Sequence, residues 1–169
     1  MKGKIIRGVG GFYYIQTERE GIIECRAKGL FRKQKMKPLV GDNVEITLLD
    51  EKEKTGSITG ILERKNELIR PAVANVDQSV VIFAASFPKP NLNLLDRFLL
   101  MMQTQEMPTV ICFNKTDDLE REQIQTLAEE YKKCGSAVYL TSAIEDTGIE
   151  AFYECLRGKT SVLAGASRV

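Results

Sequence analysis

The chain of 169 residues contains no histidine, and its four cysteines, at positions 25, 112, 134 and 155, show no close pairing such as Cys-x-x-Cys. The absence of histidine argues against a Ser-His-Asp type mechanism within this chain. Together with the wide spacing of the cysteines, it also argues against a structural zinc site. We therefore predict no metal ligands here and interpret Cys112, which lies in an apolar run, as a small core residue.

The sequence also lacks a long apolar run. Runs such as Ser79–Ser86 are far too short to cross a bilayer, and Met1–Arg7 lacks the apolar core of a signal peptide. A composition of 43% hydrophobic and 28% charged residues is typical of a soluble globular protein. We expect a cytoplasmic protein without a membrane partner, long enough for one ordinary domain or two small ones.

The net charge of +1 conceals an uneven distribution. Residues 1–70 carry 15 Lys/Arg and 10 Asp/Glu, a net charge of +5, whereas residues 71–169 carry 9 and 13, a net charge of −4. Opposite net charges in two successive segments favour two domains with different partners.

Residues 1–70 have the pattern of a small β-barrel. Five short segments rich in Ile, Val, Tyr and Thr are separated by glycines and polar turns. The predicted strands are Lys4–Gly8, Phe12–Thr17, Gly21–Ala27, Asn43–Leu49 and Ser57–Leu62. Such strands fit an OB-fold, and an SH3-like barrel is the main alternative.

Residues 71–169 have a different pattern, in which apolar runs of strand length alternate with segments of helical spacing. The predicted strands are Ser79–Ala85, Thr109–Phe113, Ala137–Thr141 and Ser161–Ala164, and the predicted helices are Leu92–Gln105, Glu120–Lys133 and Ile149–Arg157. This alternation indicates a parallel sheet covered on both faces, hence an α/β domain. Ligands of such domains bind at the carboxyl ends of the strands.

The run Asn-Lys-Thr-Asp directly follows the second of these α/β strands, at residues 114–117. A carboxylate at Asp117 can accept from both N1–H and the exocyclic amine of guanine, a pair of donors that adenine does not offer. The stem of Lys115 can lie along the base plane, and Asn114 can hold the loop by bonding nearby backbone groups. The alternative is a simple turn whose aspartates cap the following helix.

A second segment of small residues, Thr141-Ser142-Ala143, follows the next predicted strand, about 25 residues later. Small residues at a strand end let backbone N–H groups approach a base, and the N–H of Ala143 can donate to guanine O6. Together the two segments predict a guanine pocket. Its residues are Asn114, Lys115, Thr116, Asp117, Ser142 and Ala143.

A phosphate-binding loop requires a glycine-rich turn that leads from a strand into a helix, with Lys and Ser or Thr at the helix start. Gly8–Gly11 has no following helix, and Gly158–Thr160 precedes a strand and has Tyr153 where glycine is required. The remaining candidate is Gly165, Ala166, Ser167, Arg168 and Val169, which match the opening of Gly-x-x-x-x-Gly-Lys-Ser/Thr. The base-reading segments then precede the phosphate loop, which is the order of a circularly permuted domain.

This order, behind an N-terminal barrel, resembles the ribosome small-subunit-dependent GTPase family (RsgA, also called YjeQ). The likeness covers the whole chain through the runs GKIIRGVGGFYYI, CRAKGLFRKQKMKPLVGDNVEI, RPAVANVDQSVVIFA, NLLDRFL, FNKTDD and GKTSVLAG. The resemblance implies an OB-fold, a circularly permuted GTPase domain and a C-terminal zinc-binding domain. It also implies GTP hydrolysis on the small ribosomal subunit, late in the maturation of that subunit.

The resemblance carries over only in part. The predicted guanine residues match the family's base-reading motifs, and Gly165 and Ser167 match the start of its phosphate loop, which usually continues Gly-Val-Gly-Lys-Ser. Arg168 stands where the family has glycine. The Lys and Ser that hold phosphate and Mg²⁺, and the zinc ligands, have no counterpart in this sequence. We therefore expect GTP or GDP as ligand, but no GTP hydrolysis by this chain unaided.

A basic segment lies between Cys25 and Lys37, with six cations, one aromatic residue and no acid. Cations around an aromatic ring in a barrel loop suit phosphate neutralisation and base stacking, although Phe31 can equally anchor the loop in the core. With the resemblance, we expect contact with rRNA, and a merely solvated loop is the alternative. The predicted RNA-binding residues are Arg26, Lys28, Phe31, Arg32, Lys33, Lys35 and Lys37.

The leading interpretation is a monomeric GTP-binding and GTP-hydrolysing assembly factor for the small ribosomal subunit, which binds rRNA through an OB-fold at residues 1–70. The remainder, 71–169, would be the first part of the permuted GTPase domain. The alternative is an OB-fold RNA-binding module whose α/β half no longer binds nucleotide. We assign no catalytic residue.

Overall fold

The computed structural model describes residues 1–27, 29, 31 and 36–166. The first five strands are β1 (Lys2–Val9), β2 (Phe12–Thr17), β3 (Gly21–Ala27), β4 (Asn43–Asp50) and β5 (Thr55–Ile61). They form a closed barrel in the order β1-β2-β3-β5-β4. All neighbours are antiparallel except β3 and β5, which are parallel. This order is that of an OB-fold, so the predicted fold class is confirmed for this part of the chain.

The barrel core consists of side chains that alternate along the strands and point inward. Its buried members are Ile5, Ile15, Ile23, Cys25, Phe31, Val44, Ile46 and Ile58. Burial raises the pKa of the Cys25 thiol to about 11, with a further contribution from the charge of Glu24. The thiol therefore stays protonated at neutral pH, and Cys25 acts as a small core residue.

Two short strands extend the first unit beyond the barrel. β6 (Glu67–Leu68) pairs with β7 (Val73–Ala74), and Val73 forms a bridge with Val40 of the barrel unit. A Cβ atom at Gly41 would lie 1.9 Å from the carbonyl oxygen of Ala74, so this close approach requires glycine. These contacts explain why the first unit ends at Val76, somewhat beyond the predicted boundary at residue 70.

A buried carboxylate, Asp42, is paired with Arg64 in this unit. Asp42 is fully buried and accepts from Arg64 Nε at 2.7 Å, from Arg64 Nη2 at 2.8 Å and from the backbone N–H of Leu39 at 2.7 Å. Arg64 also donates to the carbonyl of Lys37 and pairs with Glu67. The hydrogen bond to Asp42 raises the pKa of Arg64. The network ties the segment before β4 to the segment after β5.

The second unit, Asp77–Val169, contains the strands β8 (Gln78–Ala84), β9 (Thr109–Asn114), β10 (Ala137–Leu140) and β11 (Ser161–Gly165). They form a parallel sheet in the order β10-β9-β8-β11. The helices are α1 (Leu92–Thr104), α2 (Arg121–Lys132) and α3 (Ile149–Leu156). The predicted α/β class is confirmed.

The core of the second unit lies where α1 and α2 cover the sheet. Its buried residues are Val81, Phe83, Ala85, Leu95, Ile111, Phe113 and Tyr131. Tyr131 of α2 contacts Phe113 with ring centroids 5.7 Å apart, and its hydroxyl donates to Asp96 of α1 at 3.0 Å. Both helices are thereby fixed on one face of the sheet. Among the described residues, none of the helices combines the length and the apolar character that a membrane-spanning helix needs.

Candidate functional site

Three parallel strands end at the same edge of the α/β sheet, and both predicted base-reading segments follow from that edge. In the register, Ala84 of β8 is opposite Asn114 of β9, and Phe113 of β9 is opposite Leu140 of β10. The segments after Asn114 and after Leu140 are therefore neighbours in space, although they lie far apart in sequence.

The loop after β9 turns sharply at Lys115, whose φ of 62° lies in the left-handed region. A 3-10 turn, Thr116–Asp118, follows. Both the backbone N–H and the hydroxyl of Thr116 donate to the carbonyl of Thr141, at 3.2 Å and 3.1 Å. Thr116 thus joins the loop to the segment after β10.

Asn114 holds this junction through a side chain. Its Oδ1 accepts from the hydroxyl of Thr141 at 3.1 Å, and its backbone carbonyl accepts from the N–H of Ala85 at 2.7 Å. The amide of Asn114 therefore contacts a side chain of the neighbouring loop. Thr141 is 2% exposed, so this bond lies beneath the surface of the candidate pocket.

Asp117 is held by Ser142, which is fully buried. The hydroxyl of Ser142 donates to Asp117 Oδ1 and accepts from the backbone N–H of Glu145 at 3.2 Å. A carboxylate has about four lone-pair positions, so one hydroxyl leaves Asp117 able to accept further bonds. The carboxylate is half-buried at the surface of the loop, where it can meet a ligand.

The loop after β10 is a tight turn. The backbone groups of Ser142 and Thr147 exchange two hydrogen bonds, at 3.0 Å and 3.1 Å. Gly148 follows with a φ of 70°, and a Cβ atom there would lie 1.9 Å from the carbonyl oxygen of Leu140. Ala143 lies exposed at the start of this turn. Gly148 is not among the residues predicted from the sequence, although a glycine directly before a predicted helix is a usable signal.

The segment after β8 also supports the site, although none of its residues is among those predicted from the sequence. The hydroxyl of Ser86 donates to Asp118 Oδ2 at 2.9 Å, and Lys115 Nζ donates to the carbonyl of Phe87 at 3.2 Å. These bonds fix the base-reading loop on the side away from β10.

The helix-cap alternative for the aspartates does not describe the structure. The N-cap of α2 is Glu120, which forms a reciprocal capping box with Gln123. Asp117 and Asp118 lie within the preceding 3-10 turn. Their carboxylates contact Ser142 and Ser86 instead.

The candidate phosphate loop begins at the end of β11. Gly165 is opposite Ile82 of β8, and a Cβ atom there would lie 2.2 Å from the carbonyl oxygen of Ile82. Ala166 packs against the core of the unit. Three of the predicted phosphate-loop residues, Ser167, Arg168 and Val169, lie outside the described residues.

The basic segment of the barrel is described only in part. Arg26 and Lys37 are exposed, whereas Phe31 is 5% exposed and packs in the barrel core. Of the two roles that the sequence left open for this ring, base stacking and anchoring the loop in the core, its burial supports the core role. Four of the predicted RNA-binding residues, Lys28, Arg32, Lys33 and Lys35, lie outside the described residues.

Within residues 1–27, 29, 31 and 36–166, no three His, Cys, Asp or Glu side chains lie together in a group that could hold a metal ion.

Comparison with known families gives two matches that together cover nearly the whole chain. The family described as RsgA GTPase matches residues 61–169. The family described as RsgA N-terminal domain matches residues 2–58.

Among curated proteins, the chain is similar to the small ribosomal subunit biogenesis GTPase RsgA of Alkaliphilus metalliredigens, with 50% identity over 99% of this chain and 57% of that protein. The protein of the same name from Agathobacter rectalis is 49% identical over 100% of this chain and 59% of that protein. The chain therefore spans less than two thirds of the length of these relatives.

Solved structures that are similar to this chain include YloQ and YjeQ. YloQ, described as a circularly permuted GTPase, has a TM-score of 0.78 at 42% identity. YjeQ from Thermotoga maritima has a TM-score of 0.83 at 33% identity. Each match covers 99% of this chain and 60% of the other chain.

Proposed function

Because the chain belongs to the RsgA GTPase family, we propose that it binds guanine nucleotides at the sheet edge that carries Asp117, as part of a GTPase that acts on the small ribosomal subunit. The observation that carries the proposal is the hydrogen bond from Ser142 to Asp117. It joins the two base-reading segments, which lie 25 residues apart in sequence.

Selection of guanine follows from the chemistry of Asp117. Its carboxylate accepts from N1–H and from the exocyclic amine of guanine, and each bond to a charged group contributes about 1.5–3 kcal/mol. Adenine has no proton on N1 and carries its amine where guanine has a carbonyl, so the same carboxylate finds no matching pair of donors. The backbone N–H of Ala143 donates to guanine O6, and the stem of Lys115 covers one face of the base.

The phosphates would lie toward β11. In the sheet order, β8 separates β9, which carries the base reader, from β11, which leads into Gly165. Two steps between neighbouring strands amount to about 10 Å, a span that a single nucleotide can bridge. The proposal assigns the start of phosphate binding to Gly165 and Ala166, and extends it to Ser167, Arg168 and Val169 from the motif alone.

Mg²⁺ accompanies nucleotide phosphates and balances their charge. In this family, Mg²⁺ is held by the hydroxyl of the serine that follows the phosphate-loop lysine. The described residues supply neither that lysine nor that serine. We therefore assign no residue of this chain to Mg²⁺ or to zinc and derive no hydrolytic step. We propose GTP hydrolysis only for the whole protein of this family.

The proposed setting is the small ribosomal subunit in the cytoplasm, since the curated relatives are named as biogenesis GTPases of that subunit. The first unit supports this role through its charge, because residues 1–70 carry a net charge of +5. A basic OB-fold attracts the phosphates of RNA, and this attraction weakens as salt rises. Arg26 and Lys37 are the described cations that the proposal retains for rRNA contact.

Thermal unfolding with nucleotides tests the proposed specificity. GDP at ten times its dissociation constant is expected to stabilise the α/β unit by about 1.4 kcal/mol, seen as a rise in melting temperature. ADP at the same concentration is expected to leave the melting temperature unchanged. An equal rise with both nucleotides would contradict the role of Asp117, and no rise with either would favour an RNA-binding module without nucleotide.

A further inference from the structure

The outer face of the barrel carries two aromatic rings that the predicted RNA-binding set does not include. Because side chains alternate along a strand, Phe12 and Tyr14 of β2 point outward while Ile15 is buried in the core. Both rings are half-buried, so each rests on the barrel and keeps a surface toward solvent.

An exposed arginine of a neighbouring strand lies over each ring, so that a base approaching the face meets a guanidinium supported by the ring. The guanidinium carbon of Arg26 is 4.4 Å from the ring centroid of Phe12, and that of Arg7 is 5.3 Å from the ring centroid of Tyr14. The strand register sets these pairs, since Arg26 is opposite Phe12 and Arg7 is opposite Tyr14. Aromatic rings and guanidinium planes are the two surfaces on which proteins stack nucleic-acid bases.

The spacing of the two pairs favours a single strand over a double helix. Residues i and i+2 of a strand lie about 6.6–6.8 Å apart, whereas successive nucleotides of a stacked helix rise by about 3.4 Å. Two bases that each stack on one arginine–aromatic pair must therefore be separated from each other. An extended single strand can separate its bases in this way, and a duplex cannot do so without losing its own stacking.

The charges around the rings differ between the two positions. Beside Phe12, a groove at the turn between β1 and β2 is lined by Lys37 and contains no acidic residue among its lining residues. Beside Tyr14, Glu24 accepts a hydrogen bond from the tyrosine hydroxyl, which raises the pKa of Tyr14. A backbone phosphate is thus favoured near Arg26 and Lys37, and base N–H donors are favoured near Glu24.

We propose that the outer face formed by Arg7, Phe12, Tyr14 and Arg26 binds two consecutive unpaired nucleotides of single-stranded RNA by stacking. The proposal deepens the proposed function, since it takes the barrel to be the RNA-binding unit. It replaces the buried Phe31 as the stacking residue and names the class of RNA.

The test is the affinity of the chain for a short fluorescent single-stranded RNA, measured by anisotropy, with a duplex of the same sequence as comparison. Phe12→Leu and Tyr14→Leu are each expected to weaken binding by about 5- to 150-fold, the range found when one stacked base is lost. Phe12→Tyr keeps a ring and is expected to keep the affinity. Lys37→Gln is expected to lower the slope of log affinity against log salt by about one, whereas the leucine variants leave the slope unchanged.

Two matched controls separate stacking from general effects. Tyr153→Leu removes a ring with the same kind of arginine partner, Arg157 at 5.6 Å, but in the other unit. Ile46→Val shortens a side chain inside the barrel core, outside the basic segment. Neither is expected to change RNA affinity once folding has been verified by circular dichroism.

Three outcomes would overturn the proposal. The first is a Phe12→Leu protein that binds single-stranded RNA as well as the Tyr153→Leu protein does, and the second is equal affinity for duplex and single strand. In both, the barrel remains an RNA-binding unit and only the stacking face is rejected. The third is no RNA binding by the unaltered chain, which would reject the RNA-binding role of the barrel as well.

Discussion

Replacing Asp117 with asparagine is expected to weaken GDP binding by about 100-fold or more and to make xanthosine diphosphate the better ligand. Asparagine keeps one acceptor for N1–H, but its amide N–H₂ faces the exocyclic amine of guanine, so a charged hydrogen bond is lost and two donors oppose each other. Xanthine has a carbonyl at that position, which accepts from the same amide. Isothermal titration calorimetry with both nucleotides measures the exchange of preference.

The neighbouring aspartate provides the matched control. Asp118→Asn makes the same chemical change one residue later, where the carboxylate accepts from Ser86 at 2.9 Å. An asparagine oxygen can still accept that bond, so GDP is expected to remain preferred over xanthosine diphosphate. If Asp117→Asn and Asp118→Asn had equal effects on the preference, the assignment of Asp117 as the base reader would be wrong.

Arg64→Met is expected to lower the free energy of unfolding of the barrel unit by about 3–5 kcal/mol, because it leaves the buried Asp42 carboxylate without its partner. The substitution retains an apolar stem of similar length but removes the donors at 2.7 Å and 2.8 Å. It also removes the bond to the carbonyl of Lys37. Urea denaturation followed by far-ultraviolet circular dichroism measures the loss.

An exposed ion pair in the other unit serves as the control for this experiment. Glu154 pairs with Arg157 at 2.7 Å, with side chains that are 52% and 66% exposed. Glu154→Gln is expected to cost less than about 1 kcal/mol, as solvent already screens the pair. If Arg64→Met lowered the free energy of unfolding by no more than this, Arg64 would not be the partner that stabilises the buried Asp42 carboxylate.

Local patterns predicted much of the fold. β2 and β3 occur with their predicted bounds, because polar turns and glycines delimit runs of β-branched and aromatic residues. The helices of the α/β unit occur within one residue of their predicted ends, since their apolar spacing is regular. Signals of this kind are contained in the sequence of the element itself.

Features that depend on distant contacts were not predicted. β6 and β7 have two residues each, too few to show a period, and they form through pairing with each other. The sequence left two roles open for Phe31, base stacking and anchoring the loop in the core, because both suit an aromatic side chain in a basic segment; in the structure the ring packs in the barrel core. The parallel pairing of β3 with β5 decided between the barrel alternatives.

The candidate site divides in the same way. The residues that read the base are adjacent in sequence within two short motifs, so chemistry and spacing identify them. Their supports are not adjacent: Ser86 and Phe87 reach the loop from β8, and Thr141 reaches Asn114 from β10. Such contacts depend on which strands are neighbours in the sheet. The sequence alone does not show which side chains those neighbours bring into hydrogen-bonding distance.

The most direct test of guanine recognition by Asp117 is competition between GDP and inosine diphosphate for the nucleotide site of the unaltered chain. Inosine keeps N1–H and O6 but lacks the exocyclic amine, so only one of the two bonds to the carboxylate is removed. We expect inosine diphosphate to bind about 10- to 150-fold more weakly than GDP and ADP not to compete. Equal affinity for GDP and inosine diphosphate would contradict this expectation, because Asp117 would then not contact the amine that distinguishes guanine.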